Sequence, residues 1–251
     1  MRKTSYIGKT PYYCYSFGIK YNPLSEALLA LKAWLAGDVK LFLELVDDLV
    51  RRSTLIRRDV DYRVWFYDFP FPPYVHSSRW ISGMSQGVIG SVLFRAYQLT
   101  RDSRYLRYAL EAIEAMLMPA TNYGAVYIEG DELYIEEYPE TKSHVLNGFI
   151  FAIFGLFDAY LITKSNRYLE MLIKAIATLI KNIHQYDLII WSKYDVNIPA
   201  DIIYHTLNTL LVIALSNMTN NQIIRKIAKR WTLSLWIFPI VFPFIYFLTS
   251  K

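Results

Sequence analysis

Glu136-Glu137-Tyr138-Pro139 is the stretch whose residue types and spacing could do proton chemistry. Two carboxylates and a phenol stand on consecutive positions, and Pro139 fixes the local backbone and blocks a helix there. Helical apolar spacing begins at Val145, so a rigid acidic–phenolic loop leads into a buried helix. Polar loops held by rigid elements are a common way to fix reactive groups. Glu-Glu alone also fits a strand end with a solvated acidic turn. A second stretch, Asp61–Trp80, is crowded with rings and prolines. Its Trp65, Tyr67, Phe69, Phe71, Tyr74 and Trp80 fit either plain core or a wall on which sugar rings stack.

The elements that must position these groups are mostly helices. Asn22-Pro23-Leu24-Ser25 opens the first, with Asn22 or Ser25 as cap. Gly37-Asp38 ends it and starts the next. Ile81–Thr100 begins with small residues and becomes a clear helix, and Arg101-Asp102-Ser103 turns into its partner, Arg104–Leu117. Ala125–Glu129 and Glu132–Ile135 flank Gly130-Asp131, a hairpin signal. Val145–Thr163 is almost wholly apolar, which predicts a helix buried all round. Arg167–Ile183, Ala200–Leu215 and a last helix from Gln222 follow, and Met1–Tyr21 reads as extended or irregular.

An internal repeat links these helices. Ala96–Ala112, AYQLTRDSRYLRYALEA, resembles Ala159–Ala175, AYLITKSNRYLEMLIKA, with Tyr105 matching Tyr168. The same interval further back reaches Phe42. Each unit is two helices joined by a short polar turn, and such a unit must stack on its neighbours to bury its face. The pattern predicts an all-α fold: an α/α toroid or partial (α/α) barrel of about four helical hairpins, with short β-hairpins in the loops.

Composition narrows the function. The chain has 251 residues, 54% hydrophobic and 16% aromatic, with 21 tyrosines and a formal net charge of +5. So many phenols suit a polar, ring-lined groove, and moderate positive charge suits an anionic polysaccharide. The basic residues are too dispersed for a nucleic-acid footprint. The lone cysteine, Cys14, forms no intrachain disulfide and is expected to be a buried, inert thiol. No Cys/His cluster has zinc spacing and no glycine-rich phosphate loop occurs, so neither metal nor cofactor is expected. The N-terminus has no apolar core of signal-peptide length. Residues 1–230 read as one domain and 231–251 as an apolar tail. Trp231–Leu248 follows the basic run Arg225–Arg230 and is about long enough to cross a bilayer. Two readings of it stay open: a membrane segment, which places the domain on the cytoplasmic side, or a tail folded against a cytoplasmic body. Oligomeric state is not legible.

A family likeness rests on an ordered set of motifs. Ile81-Ser82-Gly83-Met84-Ser85-Gln86-Gly87, then Arg95-Ala96-Tyr97 and Thr100, resembles the SGMAQG…RAY…T signature of D-glucuronyl C5-epimerases. Glu136–Pro139, then His144-Val145-Leu146-Asn147-Gly148-Phe149, resembles that family's EEYP…VLNGF. Tyr194-Asp195, Tyr204-His205 and Asn22-Pro23 match further motifs in the same order. The resemblance implies an α/α-barrel-like domain that converts D-glucuronate to L-iduronate inside a polysaccharide, heparosan or its N-sulfated form in the animal enzymes. It implies catalytic roles for Glu137, Tyr138, Tyr194 and Tyr204. The sequence departs from the animal pattern at Asn197, where those enzymes have an arginine, and at Asn208, where they have a histidine. No counterpart of their additional N-terminal β domains is expected in it.

Inverting C5 requires removal of a proton beside the carboxylate and its return from the opposite face, with the developing dianion stabilised. Glu137 and Tyr138 are expected on one face and Tyr194 or Tyr204 on the other, with base and acid unassigned. Asn147 and His205 are candidates for holding the substrate carboxylate or orienting a tyrosine, Trp80 for stacking, and Gln86 for lining the groove or bonding backbone. Arg79 or Arg95 would replace the missing arginine. Two alternatives share these residues: a polysaccharide lyase on the same toroid, and an inactive, membrane-tethered glycan-binding protein.

Overall fold

Among the described residues, eight α-helices pair into four antiparallel hairpins, each closed by the same local chemistry. The computed structural model describes residues 4–249, with side-chain surroundings through residue 237. The first hairpin is α1 (Pro23–Leu35) and α2 (Val39–Arg52), the second α3 (Gly83–Thr100) and α4 (Ser103–Leu117). The third is α5 (Leu146–Thr163) and α6 (Asn166–Asn182), the fourth α7 (Ile202–Thr219) and α8 (Gln222–Thr249). The first helix of each hairpin ends on a left-handed residue, Gly37, Arg101, Lys164 or Asn220. That conformation closes the helix and reverses the chain within a few residues.

The repeat read in the sequence has a physical counterpart. Tyr105 at the start of α4 donates to Asp47 of α2 at 2.7 Å, and Tyr168 at the start of α6 donates to Glu114 of α4 at 2.8 Å. Each outer helix is thus pinned to the previous one by the same tyrosine. The inner helices pack in chain order, α1 on α3, α3 on α5 and α5 on α7, and no comparably extensive packing joins α7 back to α1. The result is an arc of an α/α toroid. α3 and α5 approach closely at two glycines, where a methyl group added at Gly155 would stand 2.7 Å from Gly87 Cα. The core fills the space between layers with Phe42, Leu45, Leu49, Trp65, Ile113 and Phe149, each fully buried and worth about 1.5–3 kcal/mol in transfer from water.

Three small antiparallel sheets cap the arc. Residues 4–21, expected to be extended or irregular, form a meander of β1 (Thr4–Ile7), β2 (Thr10–Tyr15) and β3 (Gly18–Tyr21). β4 (Thr54–Ile56) pairs with β5 (Tyr62–Val64), and β6 (Val126–Glu129) with β7 (Glu132–Ile135). Two expectations need correcting. Cys14 is half-buried beside Ser5, because its strand lies at the rim. α5 is buried all round over its first turns, Leu146–Ile150, but opens towards its C-terminal end, where Leu161 is 42% exposed. α5 and α7 are long and apolar enough to cross a membrane, yet both are built into the arc. The expected boundary at 230/231 falls within α8, and the tail's side chains from 238 lie outside the described residues.

Candidate active site

The N-termini of α1, α3, α5 and α7 converge on one cleft. Asn22 caps α1, Ser82 caps α3 and Asp201 caps α7, each accepting a backbone N–H through its side chain. Parallel helix starts put partial positive charge at this end of the arc. A cavity of about 210 Å³ lies here, lined among others by Tyr15, Asn22, Tyr67, Trp80, Ser82, Glu137, Tyr138 and Tyr204. Among the described residues, no lysine or arginine lines it. A larger cavity, about 390 Å³, lies between α7 and α8 and holds no carboxylate or phenol.

Glu137 is delivered by β7. The strand's exit is tied down where Glu136 N donates to Ala125 O at 2.8 Å and Gly83 N donates to Glu136 O at 3.0 Å. Neither glutamate is in a solvated turn: Glu136 is 1% and Glu137 9% exposed. Glu136 is spoken for, since its carboxylate accepts the His144 backbone N–H at 3.0 Å and contacts His144 Nδ1. Glu137 instead rests on the first turn of α5 at Gly148, and its Oε2 is buried with no hydrogen-bond partner. Burial raises its pKa to about 7, opposed by Tyr138 and reinforced by the charge of Glu136. The amide Nδ2 of Asn147, in the same first turn, is also buried without a partner. An orphan acceptor and an orphan donor, each costly to leave unpaired, thus come from adjoining segments.

The phenols form one array. Tyr138 Oη lies 3.2 Å from Tyr194 Oη. Tyr194 meets Tyr204 edge to face at 4.6 Å, and Tyr74 stacks on Tyr138 at 4.6 Å. Burial holds the hydroxyls of Tyr138 and Tyr194 far above the ordinary phenol pKa, and the Glu137 charge adds to this. Both are therefore neutral donors at neutral pH. Trp80 lines the cavity against Tyr138 at 5.6 Å and stacks on Tyr67 at 4.2 Å, so the ring-rich stretch is both core and wall.

The loop carrying Tyr194 is fixed from below. Asp195 Oδ1 accepts the N–H groups of Asn197 and Ile198 at 2.8 Å each, and its Oδ2 accepts from Tyr74 at 2.8 Å. His205 Nδ1 accepts the Ser192 N–H at 3.0 Å, and Asn208 Nδ2 donates to Ser192 Oγ and Lys193 O. Ser234 Oγ gives its own proton to Trp231 O, so at 2.9 Å it accepts from His205 Nε2–H. Desolvation lowers the His205 pKa to about 4, which keeps this tautomer neutral.

The family model for the D-glucuronyl C5-epimerase C-terminus matches residues 58–233. This chain belongs to that family. An uncharacterized protein of Methanocaldococcus jannaschii is 31% identical over 180 residues, covering 69% of this chain and 58% of that protein. The D-glucuronyl C5-epimerase of Caenorhabditis elegans is 38% identical over 80 residues, 32% of this chain and 13% of that enzyme. The chain therefore spans little more than half, or less, of these curated relatives. Among solved structures, an α-1,6-mannanase from a Salegentibacter species superposes with a TM-score of 0.56 at 12% identity, over 88% of this chain and 62% of that one. The unsaturated glucuronyl hydrolase of a Bacillus species does so with a TM-score of 0.51 at 15% identity, over 84% and 60%. These likenesses show the α/α toroid.

Within this epimerase-family domain, the structure brings Glu137, Tyr138, Tyr194, Tyr204 and Trp80 together at the cleft, and Asn147 is buried in the first turn of α5, on which Glu137 rests. It separates the others. Arg79 lies behind Trp80 in a neighbouring cavity and pairs with Asp68 at 2.9 Å. Arg95 is about 18 Å along α3 from Gly83 and pairs with Asp158 of α5 at 2.7 Å. Neither replaces the missing arginine, because each already has a carboxylate partner away from the cleft. Gln86 does not line the groove: its buried amide accepts from Trp65 N and donates to Arg63 O. His205 is fully buried beneath the Tyr194 loop, so it cannot hold a substrate carboxylate. Asn208 shares that structural task, and Asn197 is exposed. Tyr74, Asn22 and Ser82 join the site although none was singled out as a site residue. The signals were Asn22-Pro23, Ser82 within the SGM motif, and Tyr74 within the ring-rich stretch. Among the described residues, no three His, Cys, Asp or Glu side chains gather as metal ligands.

Proposed function

We propose that this chain inverts C5 of D-glucuronate residues within a polysaccharide, yielding L-iduronate. The observation that carries this reading is one buried carboxylate, poised near pH 7 and unpartnered on Oε2, facing an array of neutral phenols across a cleft that no lysine or arginine among the described residues lines.

Glu137 is the base. It takes the C5 proton, and the C–H electron pair passes into the substrate carboxylate as an enolate dianion. A pKa near the working pH balances the ionised fraction against basicity. The dianion is stabilised by donors rather than by an arginine: Asn147 Nδ2, the positive end of α5, and the hydroxyls of Ser82 and the tyrosines. A phenol on the opposite face returns a proton to C5. Tyr194 is suited to this, because a phenolate formed on it accepts a hydrogen bond from Tyr138 across 3.2 Å. Proton exchange with water then resets Glu137 and the phenolate. The ring wall of Trp80 and Tyr138 seats the sugar faces.

A lyase begins with the same proton abstraction but expels the 4-linked sugar. Incubation with heparosan separates the two. Proton NMR signals of L-iduronate without ultraviolet absorbance support the epimerase. An unsaturated, absorbing end group would establish a lyase, and binding with neither product would leave a glycan-binding protein.

A further inference from the structure

The cleft end of the domain also carries an unusual amount of exposed apolar surface, and it lies where α8 leaves the body. His205, three residues into α7, contacts Ser234 of α8. α8 continues as helix from there to Thr249, on the side where α7 begins and the cleft opens. Beside this exit, Trp236 is 75%, Ile203 72% and Ile189 68% exposed. Leu188 and Ile190 are exposed as well, giving a run of three apolar residues in a loop. Ile189 adopts φ 70°, a left-handed conformation that a β-branched residue rarely holds. The loop is fastened to α8: Asp187 pairs with Arg230 and accepts from Trp231 Nε1 at 3.1 Å.

Sequence and charge say what covers this face. Trp231–Leu248 contains no charged residue. Trp231 and Ser234 are buried in the domain, and the stretch beyond them, Leu235–Leu248, is about 21 Å of helix, enough to enter a bilayer's hydrocarbon core. Exposed Lys229 lies about 10 Å before Trp236 along α8, within reach of anionic headgroups. Trp236 stands where an interfacial tryptophan belongs. A water-facing surface has no use for such a collar.

We propose that this end of the domain docks on a lipid bilayer. The apolar stretch of α8 enters the membrane, Leu188–Ile190 and Ile203 lie in the interface, and the cleft is held at the membrane surface. This does not depend on the reaction assigned above.

The test uses the full chain, purified in detergent, with Cys14→Ser and a single cysteine introduced as Ile190→Cys or Ile203→Cys and labelled with an environment-sensitive fluorophore. Glu170→Cys on α6 is the control. On transfer to vesicles of phosphatidylcholine and phosphatidylglycerol, the labels at 190 and 203 are expected to shift to the blue and lose intensity when the lipids carry nitroxides. The label at 170 should do neither. Flotation of the chain with aqueous labels at 190 and 203 would overturn the proposal by showing that the tail alone anchors. Failure to float would overturn it outright. A blue shift without nitroxide quenching, together with dimers in light scattering, would give the face to a second copy of the chain.

Discussion

Gly148 lies directly beneath Glu137: a methyl group added there would stand 2.7 Å from Glu137 Oε2 and 2.6 Å from its Cβ. The glycine is what lets the carboxylate rest on the first turn of α5. Gly148→Ala must push Glu137 off its seat, because the clash involves the buried stem as well as the carboxylate. The expected outcome is a loss of turnover of at least about tenfold, from misplacement of the base. Stability in urea should fall by about 1–3 kcal/mol.

Glu137 is buried at a cost to the fold. Its pKa rises from an unfolded value near 4.5 to about 7 in the folded chain, so the folded state binds the extra proton. The stabilising protonated form is fully present below pH 4.5 and is lost as pH rises through 7. Glu137→Gln removes that loss. The variant should match the parent in thermal unfolding near pH 4 and exceed it near pH 8, by roughly 3 kcal/mol.

The same group sets the pH–rate profile. With Glu137 as base, kcat/KM should climb through about pH 7 and level off above it. A phenolate base would move the climb to the alkaline side of an ordinary phenol, since burial raises Tyr138 and Tyr194 well above it. A profile measured from pH 5 to pH 10 distinguishes the two.

Neither arginine near the motifs serves the substrate. Arg79→Ala should leave kcat/KM within about twofold of the parent, since Arg79 pairs with Asp68 at the surface. Arg95→Ala should cost about 0.5–1 kcal/mol of stability by breaking the partly exposed pair with Asp158, with specific activity unchanged. Denaturant melts and initial rates on the same preparations check both.

Much of this was legible in the chain because it is local. Asn22, Ser82 and Asp102 stand where caps must stand, and Gly130-Asp131 between alternating runs makes the β6–β7 hairpin. The repeat exposed the hairpin units, and Tyr105 and Tyr168 proved to be the pins between them. The losses came where function depends on what a side chain faces. Gln86 and His205 are polar residues beside motifs, and in sequence a group that closes backbone hydrogen bonds looks the same as one that holds a ligand. Arg79 and Arg95 were separated from the cleft by Trp80 and by the length of α3, neither of which spacing reveals. Burial of Glu136 and Glu137 needed α5 and β6 to be in place, since adjacent glutamates by themselves read as solvent-facing.

The account rests on Glu137 drawing a proton from C5. Incubation with heparosan in D₂O, followed by NMR at C5, measures that step directly. Deuterium at C5 accompanied by L-iduronate is the expected result, reduced by about 10²–10⁴ in Tyr194→Phe and abolished in Glu137→Gln with glycan binding retained. Exchange that persists undiminished in Glu137→Gln would contradict it.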